Sequence, residues 1–153
     1  MDVKFVNPVL ESIVNVLSTM ANLTPEAGKP SIKVGEDARG VVTGMIDFSG
    51  SKAKVSTAIS LSRPVAIEIT KRMLREEPED INDMVEDLVG EIANMMAGGA
   101  KAKLEEQGYD FELTLPSVIS GEQHVVKHTV DAPIILLPFS SDAGDFFVEI
   151  CSR

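Results

Sequence analysis

The chain of 153 residues contains a single cysteine and no tryptophan, and aromatic residues make up only 5% of it. Cys151 has no partner for an internal disulfide, and one cysteine cannot build a multi-cysteine zinc or iron–sulfur site. It lies in an apolar segment, which is typical of a buried and unreactive thiol. The scarcity of aromatic rings argues against a platform on which bases or sugars stack.

Positive charge is also scarce. The sequence has 14 Lys and Arg against 24 Asp and Glu, and its formal net charge is −10. A general nucleic-acid binder needs clustered basic residues to displace phosphate counterions, so that class is excluded. The N-terminus is charged and amphipathic, and no apolar run approaches the roughly 18 residues of a membrane span. These features predict a cytoplasmic protein.

The common catalytic motifs are absent: the sequence has no GxxxxGK[ST], GxGxxG, GxSxG or HExxH. His124 and His128 fall in a predicted strand, where their side chains would lie about 13 Å apart, too far to share one metal ion. We interpret them as partly exposed structural histidines. The sequence therefore predicts no metal site and no cofactor of its own.

Hydrophobic periodicity and turn residues predict three helices and several strands. The first helix is predicted over 8–22 with Asn7 as its cap, the second runs from the cap Ser62 to about Arg75, and the third covers 80–107. Strands are predicted over 31–34, 40–48, 54–61, 111–115, 117–119, 124–130, 133–139 and 146–151. The strands 40–48 and 54–61, with Ser49-Gly50-Ser51 between them, predict an antiparallel hairpin. This order favours one α+β domain over 1–153, with an antiparallel or mixed sheet and a weak internal two-fold repeat of helix followed by strands.

The third helix carries a polar strip. At 100° per residue, Asp87, Glu91, Asn94 and Gly98 fall side by side, outside the arc of apolar residues. Glycine and asparagine are poor helix formers, so this strip opposes local preference. Exposed polar residues on a helix are usually only a solvated face, but local rules broken without visible gain tend to mark a functional site.

The strip belongs to a longer motif. Asp87, Glu91 and Asn94 are followed, after twenty-one residues, by Pro116. With the surrounding run from Gly90 to Gly98, this pattern resembles the CheC/CheX/FliY group of bacterial chemotaxis phosphatases, and in particular its CheX branch. The spacing to Pro116 is one residue shorter than the family pattern. The likeness extends to Ser62 and Pro64 and to the run 133–139.

Members of the group differ in the number of sites per chain: CheC carries two and CheX one. On the first predicted helix, Glu11 and Asn15 are four residues apart, whereas the motif needs three. The resemblance therefore implies one site in this chain.

The resemblance also implies a CheC/CheX-like fold and a reaction. The substrate would be the aspartyl phosphate of a CheY-like response regulator, which itself supplies Mg²⁺ and a lysine at the phosphoryl group. Asn94 would position the attacking water, as an amide does in small GTPases. Glu91 would pair with the regulator's lysine, and Asp87 and Gly98 would contact the regulator.

Two further hypotheses remain at this stage. The chain could be a non-catalytic module that binds a response regulator or another chemosensory or flagellar partner, or an α+β domain that binds a small ligand. Retention of both Glu91 and Asn94 favours the phosphatase. The resemblance also implies a homodimer formed through sheet edges. We expect the apolar strands at 40–48, 133–139 and 146–151 to offer such edges, and the site helix to lie outside the contact.

Overall fold

A computed structural model describes residues 3–153. Three α-helices, α1 (Val6–Met20), α2 (Arg63–Leu74) and α3 (Asp83–Glu106), accompany one 3-10 turn at Val3–Phe5. The eight strands are β1 (Glu26–Ala27), β2 (Ser31–Ile32), β3 (Val42–Gly50), β4 (Lys54–Leu61), β5 (Phe111–Leu113), β6 (Ser117–Ser120), β7 (Ile134–Ser141) and β8 (Gly144–Ser152). No helix in this part of the chain is long and apolar enough to cross a membrane.

The strands form one sheet in the order β1-β7-β8-β4-β3-β5, with β2 also on β7 and β6 also on β3. Every pairing is antiparallel. The α+β class and the hairpin of β3 and β4 are confirmed, because Val42 pairs with Leu61 and Ser49 with Lys54 at its two ends. The internal two-fold repeat stays a prediction.

The helices cover one face of the sheet. Side chains of β3 such as Val42, Ile46 and Phe48 join the main hydrophobic core with α3 residues such as Ile92 and Met96. On the other face of the sheet, Met45 and Ala58 pack with Val126 in a smaller cluster. The sheet is therefore buried on both faces at its centre, and the segment 121–133 covers the face that the helices leave open.

The predicted cap of α1 is wrong, whereas the predicted cap of α2 is confirmed in its position but not in its side-chain bond. α1 starts at Val6, and its cap residue Phe5 makes no side-chain cap bond, so Asn7 lies inside the helix. Ser62 does occupy the cap position of α2, yet its hydroxyl makes no cap bond and is buried without a hydrogen-bond partner. The cap of α3 is Asn82, whose Oδ1 accepts from the Val85 amide at 3.0 Å. Cap chemistry alone placed these ends only to within a few residues.

The strand predicted over 124–130 is wrong. The segment is irregular, and it contains a single isolated β-bridge, which joins Val125 to Asp37 outside the named strands. Its alternation is nevertheless real, because Val126 and Val130 are buried and the residues between them include the exposed Lys127 and Thr129. An alternation of apolar and polar residues shows that one side of an extended segment is buried. It does not show that the backbone pairs with a neighbouring strand.

The predicted open edges are also wrong. β3 is flanked by β4 and by β5 and β6, β7 lies between β8 and the short strands β1 and β2, and β8 lies between β7 and β4. The long apolar strands are therefore interior strands. The edges of the sheet are formed by β1 and β2 on one side and by β5 and β6 on the other.

Candidate functional site

The polar strip lies on α3, the longest helix. Asn82 caps this helix, and Asp83 and Glu86 lie in its first turn, where negative charge is favourable. Its apolar face is fully covered, with Val85, Ile92 and other residues at 0% exposure. The helix is thus anchored by its cap and by its buried face, and the opposite face is presented rigidly.

Asp87, Glu91, Asn94 and Gly98 are all exposed and lie on one face of α3. The structure therefore brings the four predicted site residues together. Among residues 3–153, the side chains of Asp87, Glu91 and Asn94 make neither hydrogen bonds nor ion pairs with the protein. Three polar groups that need partners are held on a rigid helix without any.

Pro116 lies beside the same helix. A Cβ built on Gly90 would be 3.2 Å from Cγ2 of Val118 and 4.0 Å from Cγ of Pro116. Further along, the Ser120 hydroxyl donates to Oε2 of Glu86 at 2.9 Å. β6 therefore runs alongside α3, and the motif residues that are far apart in sequence meet at this edge of the sheet.

An ion-pair network lies near the ends of β6 and α3. The Arg63 guanidinium at the start of α2 donates to Oε1 of Glu122, which follows β6, and to Oδ1 of Asp80, which precedes α3. These hydrogen bonds raise the pKa of Arg63 above its usual value and lower that of Asp80. All three side chains are exposed to solvent, so the network orients the ends of these elements more than it stabilises them.

Two features of the structure were missed by sequence reasoning, one near the site and one far from it. Leu115, the residue before Pro116, is 91% exposed, whereas the sequence placed it inside a strand. Leu115 lies between β5 and β6, outside both strands, and no pattern in the sequence indicated that its side chain would be exposed. The second feature is a buried charge cluster on the other face of the sheet.

In this cluster Glu149 accepts hydrogen bonds from Nζ of Lys33 at 2.9 Å and from Nε2 of His128 at 3.0 Å. Nδ1 of His128 lies 2.8 Å from the Ser56 hydroxyl. Burial alone would raise the pKa of the Glu149 carboxyl, but the hydrogen bonds from His128 and Lys33 outweigh it and hold the pKa below its ordinary value. Lys33 and Glu149 have fully buried side chains, and that of His128 is 2% exposed.

Both histidines are of intermediate exposure, as predicted, although the side chain of His128 itself is almost fully buried; neither lies in a strand, and both side chains are bonded to the sheet. Nε2 of His124 lies 2.7 Å from the Thr43 hydroxyl, and both histidines help to hold the segment 121–133 against the sheet. The interpretation of Cys151 is confirmed: the thiol is buried, burial raises its pKa, and Sγ donates to the Val130 carbonyl at 3.2 Å. No three His, Cys, Asp or Glu side chains within 3–153 converge as metal ligands would.

The comparisons with known proteins define the family to which this fold belongs. Residues 42–140 match the model of the family described as "Chemotaxis phosphatase CheX". The chain belongs to this family. A curated relative, the CheY-P phosphatase CheX of Thermotoga maritima, is 28% identical, and the match covers 99% of both chains.

Solved structures agree with this membership. The chemotaxis protein CheX from Vibrio vulnificus is 46% identical, with a TM-score of 0.91 over 98% of this chain and 99% of that one. A CheX–CheY–BeF3–Mg²⁺ complex from Borrelia burgdorferi is 26% identical, with a TM-score of 0.83 and 99% coverage of both chains.

Proposed function

We propose that this chain is a phosphatase that hydrolyses the aspartyl phosphate of a CheY-like response regulator in the cytoplasm. The observation that carries the proposal is the pair Glu91 and Asn94, three residues apart on one exposed face of α3 and without side-chain partners among the residues that the structure describes. The names of its relatives, a CheY-P phosphatase and a complex with CheY, support the same substrate.

The reaction needs little chemistry from this chain. Water attacks phosphorus in line with the acyl oxygen, the P–O bond to the aspartyl group breaks, and inorganic phosphate leaves while the carboxylate is restored. The regulator supplies Mg²⁺ and a lysine, which neutralise charge on the phosphoryl oxygens. What is missing is a group that holds the water in line.

Asn94 supplies that group in our proposal. A side-chain amide can accept one hydrogen bond from the water and donate another, which fixes the direction of attack without a covalent intermediate. Asn94 is exposed and its helix is anchored by a buried face, so the amide is presented in a defined position. This geometry suits a group that enters the active site of another protein.

Glu91 and Asp87 guide the docking. A carboxylate at position 91 would pair with the regulator's lysine next to the phosphoryl group, and a charge-assisted hydrogen bond of this kind fixes both distance and register. Asp87 lies one turn earlier on the same strip and extends the contact. No metal or cofactor held by this chain is part of the mechanism; Mg²⁺ belongs to the regulator.

The deciding experiment mixes the purified protein with phosphorylated CheY-like regulators and follows loss of the acyl phosphate. Faster loss than spontaneous hydrolysis supports the phosphatase. Binding of the phosphorylated regulator without acceleration would contradict it and would support a non-catalytic interaction module.

We also propose a homodimer, now through an edge different from the one the sequence indicated. The edge formed by β1 and β2 carries the exposed apolar side chain of Ile32 (48%), and that of Val34 (85%) follows shortly after β2. It lies at the opposite end of the strand order from β6, so pairing there leaves α3 free. A mass of 16.5 kDa by light scattering, independent of concentration, would contradict the dimer.

A further inference from the structure

The continuous helix α3 contains three glycines: Gly90, Gly98 and Gly99. Glycine lowers helix stability relative to alanine because it loses more backbone freedom on folding. Each of the three therefore needs a reason that outweighs this cost. For two of them the reason lies within the chain.

Gly90 and Gly99 are needed for packing. A Cβ at Gly90 would lie 3.2 Å from Val118, which is tighter than an ordinary contact, and would push β6 away from the helix. A Cβ at Gly99 would overlap the hydroxyl of Ser12 on α1, which donates to the Met96 carbonyl at 2.7 Å. These glycines let α3 approach its neighbours in the fold.

Gly98 has no such reason. A Cβ built there meets nothing within 4 Å, and the residue is exposed. Its φ is not among the positive values that favour glycine. Within residues 3–153, neither packing nor backbone conformation calls for glycine at this position.

The surroundings of Gly98 indicate why a glycine lies at this position. Gly98 is four residues after Asn94 and seven after Glu91, so the three lie on one face of the helix. Asn94 and Glu91 are the residues that the proposed function directs at the regulator. A missing side chain beside them lowers the surface at the point where a partner would come closest.

We propose that Gly98 is a specificity-determining contact, at which the response regulator approaches the α3 backbone too closely to admit any side chain. This inference rests on the proposed function, because the regulator is the occupant that Asn94 and Glu91 would engage. A Cβ at position 98 would hold the helix away from the partner and withdraw the Asn94 amide from the phosphoryl group. The glycine thus trades helix stability for access.

The test uses Gly98→Ala and Gly98→Leu in the full chain. Alanine removes the helix penalty, so the melting temperature should rise by about 2–4 °C. Affinity for a CheY-like regulator loaded with Mg²⁺ and beryllofluoride should nevertheless fall about tenfold, and further with leucine. A purely structural role cannot produce greater stability together with weaker binding.

Ser18→Leu is the control, since it adds bulk at an exposed position of another helix, α1. It should leave affinity unchanged. Wild-type affinity and hydrolysis in Gly98→Ala would overturn the contact and leave the phosphatase standing. If the wild type hydrolyses no aspartyl phosphate but Gly98→Ala still weakens binding of the regulator, the contact stands and the phosphatase is contradicted.

A second copy of the chain is the competing occupant. Light scattering of Gly98→Ala separates the two. Loss of self-association with unchanged regulator affinity would assign the glycine to a dimer contact and overturn the proposal, whereas an unchanged mass with reduced affinity supports it.

Discussion

Two groups of polar residues in this protein are opposite in every respect that matters for function. On α3, Asp87, Glu91 and Asn94 are exposed, and their side chains make no hydrogen bonds or ion pairs within the described part of the chain. On the other face of the sheet, Glu149 is fully buried and bonded to both Lys33 and His128. The first group is available to a partner, and the second has already used its hydrogen-bonding capacity.

The comparison shows why polar clustering alone does not identify an active site. The chain of hydrogen bonds from Ser56 through His128 to Glu149 has the order of a nucleophile, base and acid. All three side chains are buried beneath the segment 121–133, so no substrate reaches the hydroxyl. The cluster fastens that segment to the sheet, and the open strip on the helix is the better candidate for chemistry.

The largest expected effect is on stability, at the buried group. Glu149→Ala leaves Lys33 buried without its carboxylate, and removal of one partner of a buried ion pair typically costs about 3–5 kcal/mol. We expect chemical denaturation to show this loss. Glu91→Ala is the control, because removal of an exposed carboxylate should change stability by at most about 0.5 kcal/mol. Equal small changes in both variants would show that the buried group does not anchor the segment.

The next effect is on activity, at the open strip. Asn94→Ala should reduce dephosphorylation of the regulator about 10²–10³-fold, the loss typical of one preorganised polar group, while stability stays within about 0.5 kcal/mol. Asn15→Ala, also exposed but on α1, is the matched control and should keep full activity. An Asn94→Ala protein as active as the wild type would contradict the water-positioning role.

The contrast also explains how far sequence reasoning reached. The exposed face of α3 followed from helical periodicity, because burial on one side of a helix fixes what lies on the other. The meeting of Pro116 with Gly90 is tertiary and was not predicted; the resemblance to a family gave only the place of Pro116 in the sequence motif. The hairpin of β3 and β4 was local and was predicted closely.

The buried cluster was not predictable in the same way. Its members Lys33, His128 and Glu149 come from three distant parts of the chain, and each looks like a surface residue on its own. The segment containing His128 has the alternation of a strand, but its backbone does not pair with the sheet. The choice of edge strands failed for the same reason, since strand order is set by long-range pairing that no local pattern encodes.

A third effect separates binding from chemistry within the open strip. Glu91→Ala should weaken binding of the beryllofluoride-loaded regulator about 10- to 100-fold, since a hydrogen bond to a charged group contributes about 1.5–3 kcal/mol. At saturating enzyme the rate should fall less than in Asn94→Ala. Glu106→Ala, exposed at the end of α3, provides the control for a general loss of negative charge. Unchanged affinity in Glu91→Ala would exclude the lysine contact.

The smallest effect is on pH dependence, and it belongs to the buried group. The pKa of Glu149 in the folded protein lies below the ordinary value of 4.5, because hydrogen bonds from His128 and Lys33 outweigh the effect of burial. A lowered folded-state pKa contributes stability above the unfolded-state pKa, and this stability is lost as the pH falls through the folded-state value. Unfolding free energies should therefore decline below about pH 4.5.

Glu149→Gln tests this assignment, because glutamine keeps the shape of the side chain but cannot ionise. Asp80, whose pKa is lowered by Arg63, contributes to the acid decline in both proteins, so the difference between the two pH profiles isolates Glu149. We expect the wild type to lose its advantage over Glu149→Gln as the pH falls below about 4.5. Parallel profiles would mean that the carboxylate has the same pKa in the folded and unfolded chain. The hydrogen bonds in the buried cluster would then not stabilise the ionised form of Glu149.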